Sequence, residues 1–211
     1  MRLSAPPTLE SILARPGIWR GEALAFAKPG IASGFPELDA QLPGNGWPRG
    51  ALTEILLERE GIGEISLLVP ALRELSRGKR WVAFVAPPYV PYAPALAQEG
   101  IDLAYLLVIR AQSGPDKLWA VEQALRSGSC GAVLFWLSSG DERSLRRLQL
   151  AAEEGEAVGV FFNDADALRR SSPAALRLHL APDRGRLQAR IIKRRGGGAA
   201  APLSLALSTL A

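Results

Sequence analysis

The 211 residues are 48% hydrophobic and 22% charged, the balance of an ordinary globular chain, with length enough for one large domain around a single core. One cysteine, Cys130, and one histidine, His179, exclude an internal disulfide framework and a zinc site built from such ligands. The formal net charge of +4 fits either nucleic acid or an acidic protein as partner and selects neither.

No apolar run reaches the roughly 18 residues that a membrane-spanning helix needs. The start, Met1 to Pro7, has no apolar signal region, so a cytoplasmic protein with no membrane attachment is expected. Residues 1–31 read as an N-terminal arm and 32–211 as the core domain. In the arm, Thr8 caps a short helix through Leu9, Ile12 and Leu13 that Pro16-Gly17 ends. Trp19 and Phe26 follow in extended chain, where they either serve as docking residues or fold back onto the core.

The core alternates apolar strands with helices. Leu52 to Leu57 is a first strand, and a loop with Gly61 and Gly63 follows it. A helix is predicted through Ile65, Leu68, Val69, Leu72 and Leu75, with Pro70 tolerable only near its first turn. Trp81 to Ala86 is a second strand stopped by Pro87-Pro88, and Leu96 to Glu99 a short helix closed by Gly100. Leu106 to Ile109 is the third strand; Leu118, Val121 and Leu125 then share one helix face. Ala132 to Leu137 is the fourth strand, a helix spans about Glu142 to Glu154, and Val158 to Phe162 is the fifth. Cys130, at the mouth of the fourth strand, reads as a buried thiol. Continuous apolar strands separated by helices indicate a parallel sheet covered on both faces. Beyond residue 175 the pattern alternates: Leu176 to Leu180, a turn at Pro182-Asp183-Arg184-Gly185, and Leu187 to Ile192 read as an antiparallel hairpin. His179 lies on its first arm, as a surface residue rather than a catalytic base. Leu203, Leu205 and Leu207 alternate as a last strand after the glycine run at 196–198.

Ser33-Gly34-Phe35-Pro36-Glu37-Leu38-Asp39, then Gly46-Trp47-Pro48-Arg49-Gly50 and Thr53-Glu54-Ile55, resemble the lead-in to the RecA and RadA ATPase core. That resemblance spans about residues 32 to 210. It implies an α/β fold: a RecA-like P-loop NTPase core with a mostly parallel central sheet flanked by helices, a C-terminal antiparallel hairpin and a degenerate phosphate-binding loop. An active loop reads G-x-x-x-x-G-K-[ST], because backbone N–H groups cradle phosphates, the lysine reaches the β/γ-phosphates and the hydroxyl holds magnesium. Here Leu57 stands at the opening glycine, Glu64 at the lysine and Ile65 at the hydroxyl. Pro87-Pro88 replaces the water-activating glutamate, and Phe135-Trp136-Leu137 the magnesium-associated aspartate. No catalytic residue, cofactor or metal is expected, and the chain is not expected to be an enzyme. Glu60, Gly61, Gly63, Glu64 and Ser66 remain as a vestigial loop, with a cryptic nucleotide site on Gly61, Gly63 and Ser66 as the alternative.

Further segments resemble the ImuA family of translesion-synthesis-associated proteins, a group also labelled SulA-like. They are Leu67 to Leu72, Pro87 to Leu96, Trp119 to Gly128 and Ser171 to Leu178, with Ile18-Trp19-Arg20-Gly21 before them. This resemblance implies an SOS-induced accessory of error-prone replication. Its partners would be ImuB, RecA and an alternative replicative-type DNA polymerase, with direct DNA binding possible. Arg169 and Arg170 then contact phosphates or are two solvated arginines; Lys193, Arg194 and Arg195 contact a partner or DNA, or simply end a strand. The alternative is a SulA-type division inhibitor that binds the tubulin-like ring protein, and behind it a RecA-like ATPase.

Overall fold

The computed structural model describes residues 28–136, 141–195, 197 and 200–207. Among these, eight strands form one sheet: β1 (Ala51–Leu57), β2 (Trp81–Val85), β3 (Leu106–Ile109), β4 (Cys130–Trp136), β5 (Val158–Asp164), β6 (Leu176–Asp183), β7 (Arg186–Arg194) and β8 (Leu203–Leu205). Their order across the sheet is β3-β2-β4-β5-β1-β6-β7-β8. Five helices accompany them: α1 (Pro36–Asp39), α2 (Val69–Arg77), α3 (Ala93–Gln98), α4 (Gly114–Arg126) and α5 (Glu142–Gly155).

The interior strands are apolar along their whole length because both sheet faces are covered. All seven residues of β1 are buried, as are the first six of β4. On one face Ile55, Phe84, Leu134, Val160 and Leu178 pack with Leu67, Leu72 and Leu96. On the other, Leu52, Ala83, Phe135 and Phe161 pack under Val121, Leu125, Leu148 and Ala152 of α4 and α5. Phe135 and Phe161 stack there with ring centres 5.6 Å apart. The helices start where side chains satisfy their free amides: Ser113 accepts from the Asp116 N–H, and Asp141 from the Ser144 N–H at 2.8 Å. The predicted helix over 65–75 becomes regular only at Val69, which places Pro70 in the first turn where its missing N–H costs nothing.

The expected RecA-like P-loop NTPase core is overturned. The sheet is mixed: β1 to β6 pair in parallel, while β6–β7 and β7–β8 are antiparallel. Two of the helices are only four and six residues long. The turn after β1 is closed to a nucleotide phosphate, since the Gly61, Ile62 and Gly63 amides are already bonded to the Glu64 carboxylate. The run from Ser33 to Asp39 that suggested the ATPase is a local packing device. Ser33 donates its N–H to Asp39 Oδ1 at 2.8 Å, Phe35 donates to Ser33 Oγ, and Gly34 packs on Pro70. Trp47 exchanges backbone hydrogen bonds with Ile31 and is fully buried, so the last residue of the expected arm is part of the core. Trp19 and Phe26 lie outside the described residues.

Cys130 opens β4 at 5% exposure, and burial pushes its thiol up, opposed more weakly by the Ser127 hydroxyl and by Arg80. The folded state therefore favours the neutral thiol. That contribution is intact below the ordinary thiol pKa and is lost as pH rises through the raised folded-state value. Reaction with a thiol reagent at neutral pH is expected to be slow until the protein unfolds. Rapid modification of the native chain is the contrary result.

Candidate protein-binding site

Three parallel strands, β1, β2 and β4, end on the same edge of the sheet. Crevices beyond the carboxyl ends of parallel strands are where such sheets usually bind ligands. Here the crevice is a cavity of about 490 Å³. Trp136 forms its floor, stacked on Phe162 with centres 4.8 Å apart and on Phe84 at 6.2 Å. One wall is the turn after β1, with Glu60, Gly61, Glu64 and Ile65. The other is the segment Pro87 to Tyr92.

That second wall is unusual for its exposure. Tyr89 is 73% exposed, Val90 71% and Tyr92 66%, while the neighbouring β2 residues are buried. Prolines 87, 88, 91 and 94 restrict the backbone on both sides of these side chains. Ala86 enters the segment with φ +49°, in the left-handed region, and its N–H is held by the Ile109 carbonyl at 2.8 Å. The outcome is a stiff ridge of two tyrosines and a valine standing beside an apolar cleft. A second recess, with Arg110 and Lys117, lies on its other side. Rigid aromatic side chains that lose little entropy on docking are the usual anchors of protein interfaces.

The residues expected to form a vestigial phosphate loop lie between two cavities, with Gly61 and Glu64 lining both. Glu60 lines only the cleft, and Gly63 and Ser66 only a neighbouring recess with Pro182 and Arg186. Arg170 and Lys193 come together around the buried Arg177. The Arg170 carbonyl accepts from Arg177 Nη1 at 3.0 Å, and Lys193 Nζ donates to the Ser172 carbonyl at 2.7 Å. Burial pushes the Lys193 ammonium down, Arg177 and Arg195 push in the same direction, and Glu54 opposes them. Arg169 and Arg195 are exposed nearby. Arg194 is not with them: it reaches away to the Gln41 carbonyl. Of these basic residues, Lys193 and Arg194 hold carbonyls of the protein itself, while the side chains of Arg169, Arg170 and Arg195 are exposed.

Tyr89, Val90 and Tyr92 were not singled out as site residues by sequence reasoning. Their signal is present as aromatic residues flanked by prolines, but without the sheet edge there is no means of knowing that they point outward. Among the described residues no group of three or more histidine, cysteine, aspartate or glutamate side chains is arranged to hold a metal. No helix among them is long and apolar enough to cross a membrane.

Residues 50–159 match the family model for the cell division inhibitor SulA. The chain is similar to the cell division inhibitor SulA of Photorhabdus laumondii, 31% identical over 114 residues covering 54% of this chain and 64% of that one. It is also similar to the SulA of Edwardsiella piscicida, 32% identical over 94 residues covering 44% and 56%. The match thus spans somewhat under two thirds of the length of these two relatives. The crystal structure of SulA from Pseudomonas aeruginosa aligns with a TM-score of 0.45 at 28% identity, over 53% of this chain and 96% of that one. The family match and these relatives overturn the translesion-synthesis reading. ImuB, RecA and an alternative replicative-type polymerase no longer stand as expected partners. Direct DNA binding falls with that reading, and of the basic residues named for it Lys193 and Arg194 are engaged by the Ser172 and Gln41 carbonyls.

Proposed function

The chain belongs to the SulA family, and from that premise we propose that it is a division inhibitor that binds the tubulin-like ring protein without catalysing a reaction. The Tyr89-Val90-Tyr92 ridge carries this reading. It lies inside the family-matched residues 50–159 and offers the partner a preorganised apolar surface. The narrower resemblance to ImuA adds nothing to this reading, which needs only the SulA-type alternative. The absence of catalysis is supported by Glu64, whose carboxylate occupies the amides that a nucleotide phosphate would need. The cytoplasm is the proposed location, where that partner assembles.

Purified chain mixed with the ring protein of the same organism is expected to co-elute with it. It is also expected to reduce the polymer recovered by sedimentation at near-stoichiometric ratios. Unchanged polymer yield together with separate elution would remove the basis for this function.

A further inference from the structure

The turn between β1 and α2 is an oxyanion receptor built from backbone, and we propose that its resident ligand is the chain's own Glu64 carboxylate. The Gly61 N–H donates to Oε1 of Glu64 at 3.0 Å; the Ile62 and Gly63 N–H groups donate to Oε2 at 3.0 and 3.1 Å. Three consecutive amides converge on one point because Gly61 and Gly63 take φ of +76° and +104°, which residues with a side chain rarely adopt. Successive N–H groups arranged in this way form a nest that binds anions. Glu64 is only 7% exposed, and among the described residues no lysine, arginine or histidine forms an ion pair with it. The three amides are therefore its charge partners. A carboxylate buried at this cost is kept by the hydrogen bonds it accepts.

The ligand class follows from the geometry. A small oxyanion such as inorganic phosphate or sulfate presents the same acceptor oxygens, and the adjoining recess, with the Ser66 and Arg186 side chains, gives it access. In the natural chain Glu64 fills the nest and excludes such an anion. Because Glu60, Gly61 and Glu64 also wall the aromatic cleft, the resident carboxylate holds that wall in shape without any bound ligand. This last consequence rests on the proposed partner-binding role of the cleft; the anion site does not.

The test is thermal unfolding of the full chain in chloride, phosphate and sulfate at equal ionic strength. Glu64→Ala is expected to lower Tm by about 5–10 °C in chloride. Tens of millimolar phosphate or sulfate should restore at least half of that loss, while the natural chain shows no anion-specific shift. Glu64→Gln keeps one acceptor oxygen in the nest but sets its NH2 against a remaining amide N–H and fills the space; it is expected to be destabilised and not rescued. If Glu64→Ala does not fold in chloride, the yield of refolding with and without phosphate reads the same property. A Glu64→Ala chain as stable as the natural one, or one helped equally by chloride and phosphate, overturns the proposal. Neither readout involves a partner protein, so failure here is distinct from failure of the division-inhibitor reading.

Discussion

Replacing Tyr89 and Tyr92 together by alanine is expected to weaken binding to the ring protein by on the order of 100-fold, about 3 kcal/mol. The two phenol rings are 73% and 66% exposed in the free chain, so their removal forfeits little packing there. Their cost is felt only in the complex, where each ring leaves water. The surrounding prolines have already restricted the backbone that carries them, so less entropy remains to be lost on association. The double variant is expected to keep the Tm of the natural chain to within the shift of about 0.5 kcal/mol typical of surface changes. Titration calorimetry against the ring protein, beside a thermal melt of the free chain, measures both quantities. Undiminished affinity in a well-folded double variant would place the interface elsewhere.

The second large effect concerns stability. Arg177 and Glu54 form an ion pair at 2.6 Å, with side chains 7% and 2% exposed. Asn163 donates to the other Glu54 oxygen at 3.2 Å. Arg177 also donates to the Arg170 carbonyl at 3.0 Å and to the Ala167 carbonyl at 2.9 Å. One guanidinium therefore neutralises a buried carboxylate and fastens the 165–170 turn to the sheet. Arg177→Met leaves that carboxylate and two carbonyls unpaired, and is expected to cost about 3–5 kcal/mol of unfolding free energy. Arg177→Lys is expected to be nearly as damaging, because an ammonium cannot reproduce the fork. Glu54→Leu combined with Arg177→Met removes both charges and is expected to recover most of the loss. Urea denaturation of the three variants decides the matter; a loss below about 1 kcal/mol for Arg177→Met would show that the pair contributes little.

Local elements were legible where burial imposes a period. Val133 to Trp136 and Val158 to Phe162 are apolar because both faces of the sheet are covered there, and the strands fall where that run predicts. Architecture was less legible. The Ser33 to Asp39 run resembles a nucleotide-binding lead-in, yet its residues hydrogen-bond to one another and Gly34 packs on Pro70, so the same letters serve packing instead. The basic residues near the C-terminal end were read as one group. The register of β6 against β7, which shifts between Arg177 and Leu178, places Lys193 opposite Arg177 and sends Arg194 toward Gln41. A one-residue slip in a strand changes the face of every side chain beyond it, and no one-dimensional pattern reveals where the slip occurs.

By itself the sequence determined that an acidic residue, Glu64, follows the Gly61-Ile62-Gly63 turn, and that Cys130 and His179 are the single cysteine and single histidine of the chain. These are matters of residue identity, and chemistry follows from identity alone. Only the tertiary structure decided what Glu64 does instead, because three amides converge on its carboxylate through two left-handed glycines. It also decided that Tyr89, Val90 and Tyr92 face outward as a ridge while the equally apolar Phe84 and Phe135 face inward. Hydrophobicity states a preference for burial; which side chains obtain it depends on where the sheet ends and what remains to cover them.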